Sequence, residues 1–338
     1  MAQITNKARL EIPPALWLLE DFYDHNADPH TVSATGLLKP IRPIILAQQA
    51  AGDTNHKIDL VDMIGSRMGS ALHDSLEDCW KDIDRVRSGL AKLGISEDVI
   101  KRIRINPPDI TVNGQKAPAE SQEIIPIYIE NRATKALGKW KISGKYDLVF
   151  DGEVQDYKSG SVWGYIFDSN REDYIMQGSI YRWLNPDKIL KDTVTIHYMF
   201  TDWSAVKALQ DKKYPQTRIM SKQYRLKPMD WIEQWMRNKL DRIEQFLDAK
   251  QEDLPLCTPD ELWQKDATYK YYKNPAKQER ASKNFTNRVE ANEFCVNDGG
   301  VGIVIEFPGE VKRCKYCSVM EICTQAHGYI KSGLIKQE

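Results

Sequence analysis

The chain has 338 residues, 41% hydrophobic and 28% charged, with 47 basic side chains against 48 acidic ones. That is ordinary globular usage over roughly two average domains, and it excludes a wholly disordered, collagen-like or mucin-like chain. The balanced charge announces no nucleic-acid partner by itself. With a mean hydropathy of −0.54, no bilayer-length apolar run and no signal-peptide core in MAQITNKARLEIPP, the reading is a soluble, cytoplasmic protein with no membrane partner.

Residues 1–57 read as a proline-rich lead-in packing on the core, where Thr31 or Ser33 caps a short helix ending before Pro40. Residues 58–93 form the clearest helical stretch. Leu72, Leu76, Cys79, Ile83, Val86 and Leu90 recur at three- and four-residue steps, so they make one apolar stripe, with Cys79 in the core. His73, Glu77 and Trp80 fall on one edge of that stripe. After KRIR at 101–104 comes a loop with Pro107, Pro108 and Asn113-Gly114. EIIPIYIE at 123–130 is strand-like, with Pro126 suggesting an edge or a bulge. KWKISGKYDLVFDGEVQDYK at 139–158 reads as strand, turn, strand, with Asp151-Gly152 as the hairpin signal. A helix over 171–184 stops before Pro186. TVTIHYMF at 193–200 is another strand, and 229–249 is a long amphipathic helix. From 251 the character changes to LPLCTPDE, then a lysine- and tyrosine-rich stretch, then three close cysteines. The expected division is therefore a lead-in at 1–57, a core at 58–250 and a C-terminal segment at 251–338.

Chemistry concentrates in GKYDLVFDGEVQDYKSG. Strand side chains alternate, so Asp156 and Lys158 share a face, and a hairpin can bring Asp147 alongside Asp156. Two converging carboxylates suit Mg²⁺ or Mn²⁺, and a neighbouring lysine can act on an attacking water and offset phosphate charge. Taken alone, D-x-K is equally the pattern of a cross-strand salt bridge. Glu153, at an odd offset from Asp156, points to the other face. Glu77 reads as a salt-bridge partner.

Four motifs in order change that weighting: His73 on the first strong helix, Gly144-Lys145-Tyr146-Asp147, Asp156-Tyr157-Lys158, and Gln177 with Tyr181 on one face of the next helix. This order, over about 65–185, resembles the RecB-type branch of the PD-(D/E)XK nucleases. The resemblance implies an α/β, restriction-endonuclease-like core with a mixed central sheet flanked by helices. It implies His73, Asp147, Asp156 and the carbonyl of Tyr157 as ligands of Mg²⁺ or Mn²⁺. Lys158 would be the catalytic lysine, with Gln177 and Tyr181 orienting it or the substrate. The implied activity is a metal-dependent DNA exonuclease acting on single strands or duplex ends, by analogy in phage recombination, replication or repair and so in a host cytoplasm. The rival is a non-catalytic DNA-binding or end-holding protein with a degenerate nuclease fold. A homo-oligomer or a recombination or replication partner is compatible with either.

Six cysteines are too few for a secreted disulfide scaffold, and in a reducing compartment a cluster points to metal or redox chemistry. Cys314-x2-Cys317-x5-Cys323 needs a fourth ligand to close a tetrahedral zinc site or hold an iron–sulfur cluster, and the spacing fits both equally. Cys257, in a proline-bracketed loop, is the choice over Cys295. The C-terminal segment resembles CRISPR-associated RecB-like exonucleases and the nuclease arm of AddB-type helicase–nucleases, phage-type members included. That implies a [4Fe–4S] cluster stapling this segment, with Zn²⁺ as the alternative. Many relatives place the distant cysteine before the histidine motif, whereas here none precedes Cys79.

For DNA contact, 204–227 carries Lys207, Lys212, Lys213, Arg218, Lys222, Arg225 and Lys227 against Asp211 alone, a set able to neutralise phosphates. Trp163, Tyr165 and Phe167 follow the lysine and are candidates to stack on unpaired bases.

Overall fold

The computed structural model describes residues 3–20, 28, 30–50, 57–108, 111–112, 115–116 and 124–335. Its backbone sorts into two units: residues 2–38 with 57–241, and residues 39–56 with 242–338. The expected Asn113-Gly114 turn lies outside the described residues.

The larger unit is built on a six-stranded mixed sheet: β1 (Ile103–Ile105), β2 (Ile125–Ile129), β3 (Leu148–Phe150), β4 (Glu153–Gly160), β5 (Thr193–Phe200) and β6 (Ile219–Arg225), in spatial order β6-β5-β4-β3-β2-β1. β4 and β5 run parallel, as do β1 and β2, and the other neighbours are antiparallel. The pattern of β5 explains its place: Val194, Ile196, Tyr198 and Phe200 are buried in strict alternation. β3 and β4 are joined by a two-residue turn in which Asp151 (φ 49°) and Gly152 (φ 76°) both take the left-handed conformation that such a hairpin requires.

Helices lie against this sheet. α1 (Ile64–Lys81) and α2 (Ile83–Lys92) bring Trp80, Ile83 and Leu90 onto a buried cluster of Ile103, Ile127, Ile129 and Leu148. α3 (Arg171–Leu184) buries Ile175, Met176, Ile180, Tyr181, Trp183 and Leu184. A smaller sheet of Thr31–Ser33, Trp140–Lys145 and Arg132–Leu137 carries the Gly144 end of the site. Ser33 does cap the short helix Ala34–Leu37.

Three local expectations are corrected. The stretch 58–93 is not one helix: it opens with a strand (Lys57–Asp59) and a 3-10 turn, and it breaks at Asp82. The Asp82 carboxylate accepts hydrogen bonds from the amides of Asp84 and Arg85, capping α2 and ending α1. Cys79 is exposed rather than core, because the break lets α2 supply the deeper apolar residues. β2, which contains Pro126, is not an edge: the short β1 pairs outside it. Met229–Phe246 forms the expected long helix.

The smaller unit carries the helix Ile41–Ala50, an antiparallel sheet of Thr268–Tyr272 between Lys283–Phe285 and Ile303–Phe307, and the helices Arg288–Asn297 and Thr324–Lys331. Among the described residues, no helix is long and apolar enough to cross a membrane.

Candidate active site and the cysteine cavity

β4 carries the reactive side chains. Its alternation sets Asp156 and Lys158 on one face and Tyr157 on the other. The pair Leu148–Gln155 sets the hairpin register, and one step outward Asp147 faces Asp156. Asp147 Oδ2 accepts the Tyr157 amide at 2.9 Å, while Oδ1 lies 3.2 Å from His73 Nδ1. Lys158 Nζ lies 2.5 Å from Asp156 Oδ2. From α3, Gln177 Nε2 donates to the Tyr181 hydroxyl at 2.8 Å and reaches Asp156 Oδ1 at 3.5 Å. The structure thus gathers His73, Asp147, Asp156, Lys158 and Gln177 at one place, with Tyr181 behind.

The electrostatics follow from burial and pairing. Asp156 is 4% exposed, and burial pushes its pKa up to about 6 against the opposing charge of Lys158. For Asp147 burial also pushes upward, but the His73 hydrogen bond, the nearby positive charges and the Tyr157 amide outweigh it, so its pKa is lowered. His73 is raised, first by the Asp147 hydrogen bond. Burial works against the Lys158 ammonium, yet Asp156 and Asp147 outweigh it and hold the lysine above its ordinary value.

Asp156 Oδ2 is buried and, among the described residues, is faced by the Lys158 ammonium alone. Two carboxylates and an imidazole drawn together at a buried position are donor chemistry that fits a hard divalent cation. His73 pairs directly with Asp147, and among the described residues no three His, Cys, Asp or Glu side chains stand at metal-liganding geometry.

A residue that the sequence reading passed over stands next to this group. Glu130, at the end of β2, lines a small cavity with His73, Glu77, Asp147 and Tyr157. It shares a hydrogen bond with Glu77 and pairs with Lys145; burial is the main reason its pKa is raised. Glu77 also pairs with Lys81 at 3.0 Å. Only the pairing of β2 with β3 brings Glu130 here, so no sequence spacing announces it. Glu153 points away, as expected, bonding Thr193 and Gln223.

In the smaller unit, Cys257, Cys314, Cys317 and Cys323 line one cavity. The loop holding Cys257 is clamped by Gln325, which accepts from the Cys257 amide and donates to its carbonyl, both at 2.9 Å. Cys295 is engaged elsewhere, against the Gly302 carbonyl. Burial pushes the Cys257 thiol up to about 12 and Cys314 up to about 11. Arg42, 2% exposed, donates to Cys323 Sγ at 3.3 Å, Leu254 O at 3.1 Å, Gln251 Oε1 at 3.3 Å and Thr324 Oγ1 at 2.8 Å. None of these acceptors is a carboxylate. Four sulfur donors thus line one cavity beside a buried guanidinium, and among the described residues no three of them stand at metal-liganding geometry.

The basic stretch is used unevenly. Lys222 is engaged internally, donating to Tyr165 O at 2.6 Å and Asp168 Oδ1 at 3.1 Å. Arg225 pairs with Asp192. Lys227 pairs with Glu172, Arg218 stacks over Trp203 and Lys207 over Trp163. Lys212 and Lys213 are exposed.

The sequence matches no protein-family model and no curated protein. Among solved structures, the chain is similar to a protein called SSO0001, at 14% identity over 68% of this chain and 83% of that one, with a TM-score of 0.39. It is also similar to a phage-related exonuclease from Haemophilus somnus 129PT, at 12% identity over 64% of this chain and 93% of that one, with a TM-score of 0.28.

Proposed function

We propose that this chain is a metal-dependent DNA exonuclease of the RecB-type PD-(D/E)XK class, with a restriction-endonuclease-like core, hydrolysing phosphodiester bonds of single strands or duplex ends. The observation that supports the reading is the meeting of His73, Asp147, Asp156 and Lys158, residues far apart in sequence, around a buried carboxylate paired with the Lys158 ammonium. His73, Asp147, Asp156 and the Tyr157 carbonyl would hold Mg²⁺ or Mn²⁺, which would supply Lewis-acid stabilisation of charge on the phosphoryl oxygens. Lys158 keeps its proton beside the carboxylates, where its ammonium offsets the same charge and positions the attacking water. Gln177, fixed by Tyr181, orients Asp156. The Tyr157 amide and His73 hold Asp147 in place.

Asp156→Ala and Lys158→Ala should each slow Mn²⁺-dependent release of end-labelled nucleotides on the order of 10²-fold or more, with melting behaviour preserved. Cleavage at the wild-type rate by either variant would overturn the assignment. The same reading places a [4Fe–4S] cluster, or in the alternative Zn²⁺, at Cys257, Cys314, Cys317 and Cys323, supported by their shared cavity and by the Arg42 charge beside it. Its role there is structural.

A further inference from the structure

The short helix Val162–Ile166, which follows β4, exposes two large aromatic side chains that the proposed chemistry does not use. Trp163 is 45% exposed and Phe167 72% exposed. Their rings stack on each other, centroids 5.9 Å apart and planes 20° apart. Lys207 Nζ stands 5.5 Å from the Trp163 ring, and Tyr214 meets that ring edge-on at 6.4 Å. Isolated exposed apolar residues are unremarkable on a protein surface; a stacked aromatic pair on a fixed mount beside lysines is a different arrangement.

The mount is held from several sides. Asp202 accepts the Ser161 hydroxyl and the Val162 amide, each at 2.7 Å, and Ser161 Oγ accepts the Trp163 amide at 3.2 Å. Lys222 donates to the Tyr165 carbonyl, and Asp168, which ends the segment, accepts the Tyr224 hydroxyl at 2.5 Å. Tyr165 itself is turned inward onto Tyr198 and Phe200, so the stacking role expected of it passes to its two neighbours. Ordering the platform in advance lowers what a ligand must spend in immobilising it.

Position completes the argument. Trp163 is the fifth residue after Lys158, which limits the distance between their Cα atoms to about 18 Å. A strand whose phosphate lies at Asp156 and Lys158 therefore has a base within a few nucleotides of the platform. Bases inside a duplex are stacked on each other and offer no free face, whereas unpaired bases do.

Resting on the exonuclease reading, we propose that Trp163 and Phe167 are a base-stacking platform, with Lys207 beside it for the backbone, that selects an unpaired DNA strand over a flush duplex end. The test is fluorescence anisotropy of the full-length protein in EDTA, where no cleavage occurs. The probes are a labelled oligothymidylate, the same length of abasic strand, and a blunt duplex. The Trp163→Ala/Phe167→Ala double variant should bind oligothymidylate about tenfold or more weakly and the duplex unchanged. Wild type should bind the abasic strand as weakly as the variant binds the intact one. Trp163→Phe should restore most of the loss, a result that simple unfolding does not produce. Unchanged oligothymidylate binding by the double variant, equal losses for strand and duplex, or full-strength binding of the abasic strand would each overturn the proposal. Failure of the catalytic reading is seen separately, as wild-type cleavage by Asp156→Ala, and leaves these binding results standing.

Discussion

Gly144 lacks a side chain because its neighbours occupy the space: a Cβ there would lie 2.6 Å from Leu184 Cδ1 and 3.0 Å from the Tyr181 ring. The glycine of the G-x-x-D motif and the tyrosine of Q-x-x-x-Y are thus two sides of one packing contact. Gly144→Ala should cost about 1–3 kcal/mol by overpacking, read as a lowered urea midpoint. Because Tyr181 holds Gln177 against Asp156, the same variant should also lose nuclease rate. Full stability with full activity would separate the two motifs. At this scale much of the site was legible in order and spacing: the four-residue step from Gln177 to Tyr181 and the alternation from Asp156 to Lys158 are local geometry. Arg42 was not legible, since its acceptors come from residues 251–254 and 323–324, and neither was Glu130, which reaches the site only through strand pairing.

At the scale of elements, boundaries were the less readable part. Nothing in the apolar stripe of 58–93 marks a break, because Asp82 occupies a position that is polar on either reading; only its caps on Asp84 and Arg85 show it. Strand order hid the status of Pro126 in the same way, since a partner as short as Ile103–Ile105 carries little sequence signal. The helix after β4 depends on Asp202. Desolvation pushes that exposed carboxyl upward, but Ser161 and the Val162 amide outweigh it, so its pKa is lowered. A lowered carboxyl stabilises the fold above its ordinary pKa, and the contribution disappears as pH falls through the folded-state value. Asp202→Ala should therefore cost about 1 kcal/mol at neutral pH, and the gap in urea midpoint from wild type should close at a pH below the ordinary carboxylate value. A gap that stays constant down to that pH would mean the charged hydrogen bonds are not its source.

At the scale of the whole molecule, the cysteine cavity is where a bound metal would show itself. Burial raises the Cys257 and Cys314 thiols above their ordinary value, so a metal binding at the proposed site would displace protons. Protein purified without oxygen should be brown and contain iron. Colourless protein with stoichiometric zinc would reject the cluster in favour of the alternative. Arg42→Met should reduce retained metal, and Arg42→Lys should recover part of it. Metal content unaffected by either change would remove the guanidinium from that role.

The smaller unit is also discontinuous along the chain: residues 39–56 belong with 242–338. Helix Ile41–Ala50 buries Ile41, Ile44, Ile45 and Leu46 there, and fixes Arg42 against Leu254 and Cys323. A ribosome delivers that helix well before its companions. Throughout the interval this greasy segment has no native shelter, an exposure of the kind that makes incomplete chains prone to association.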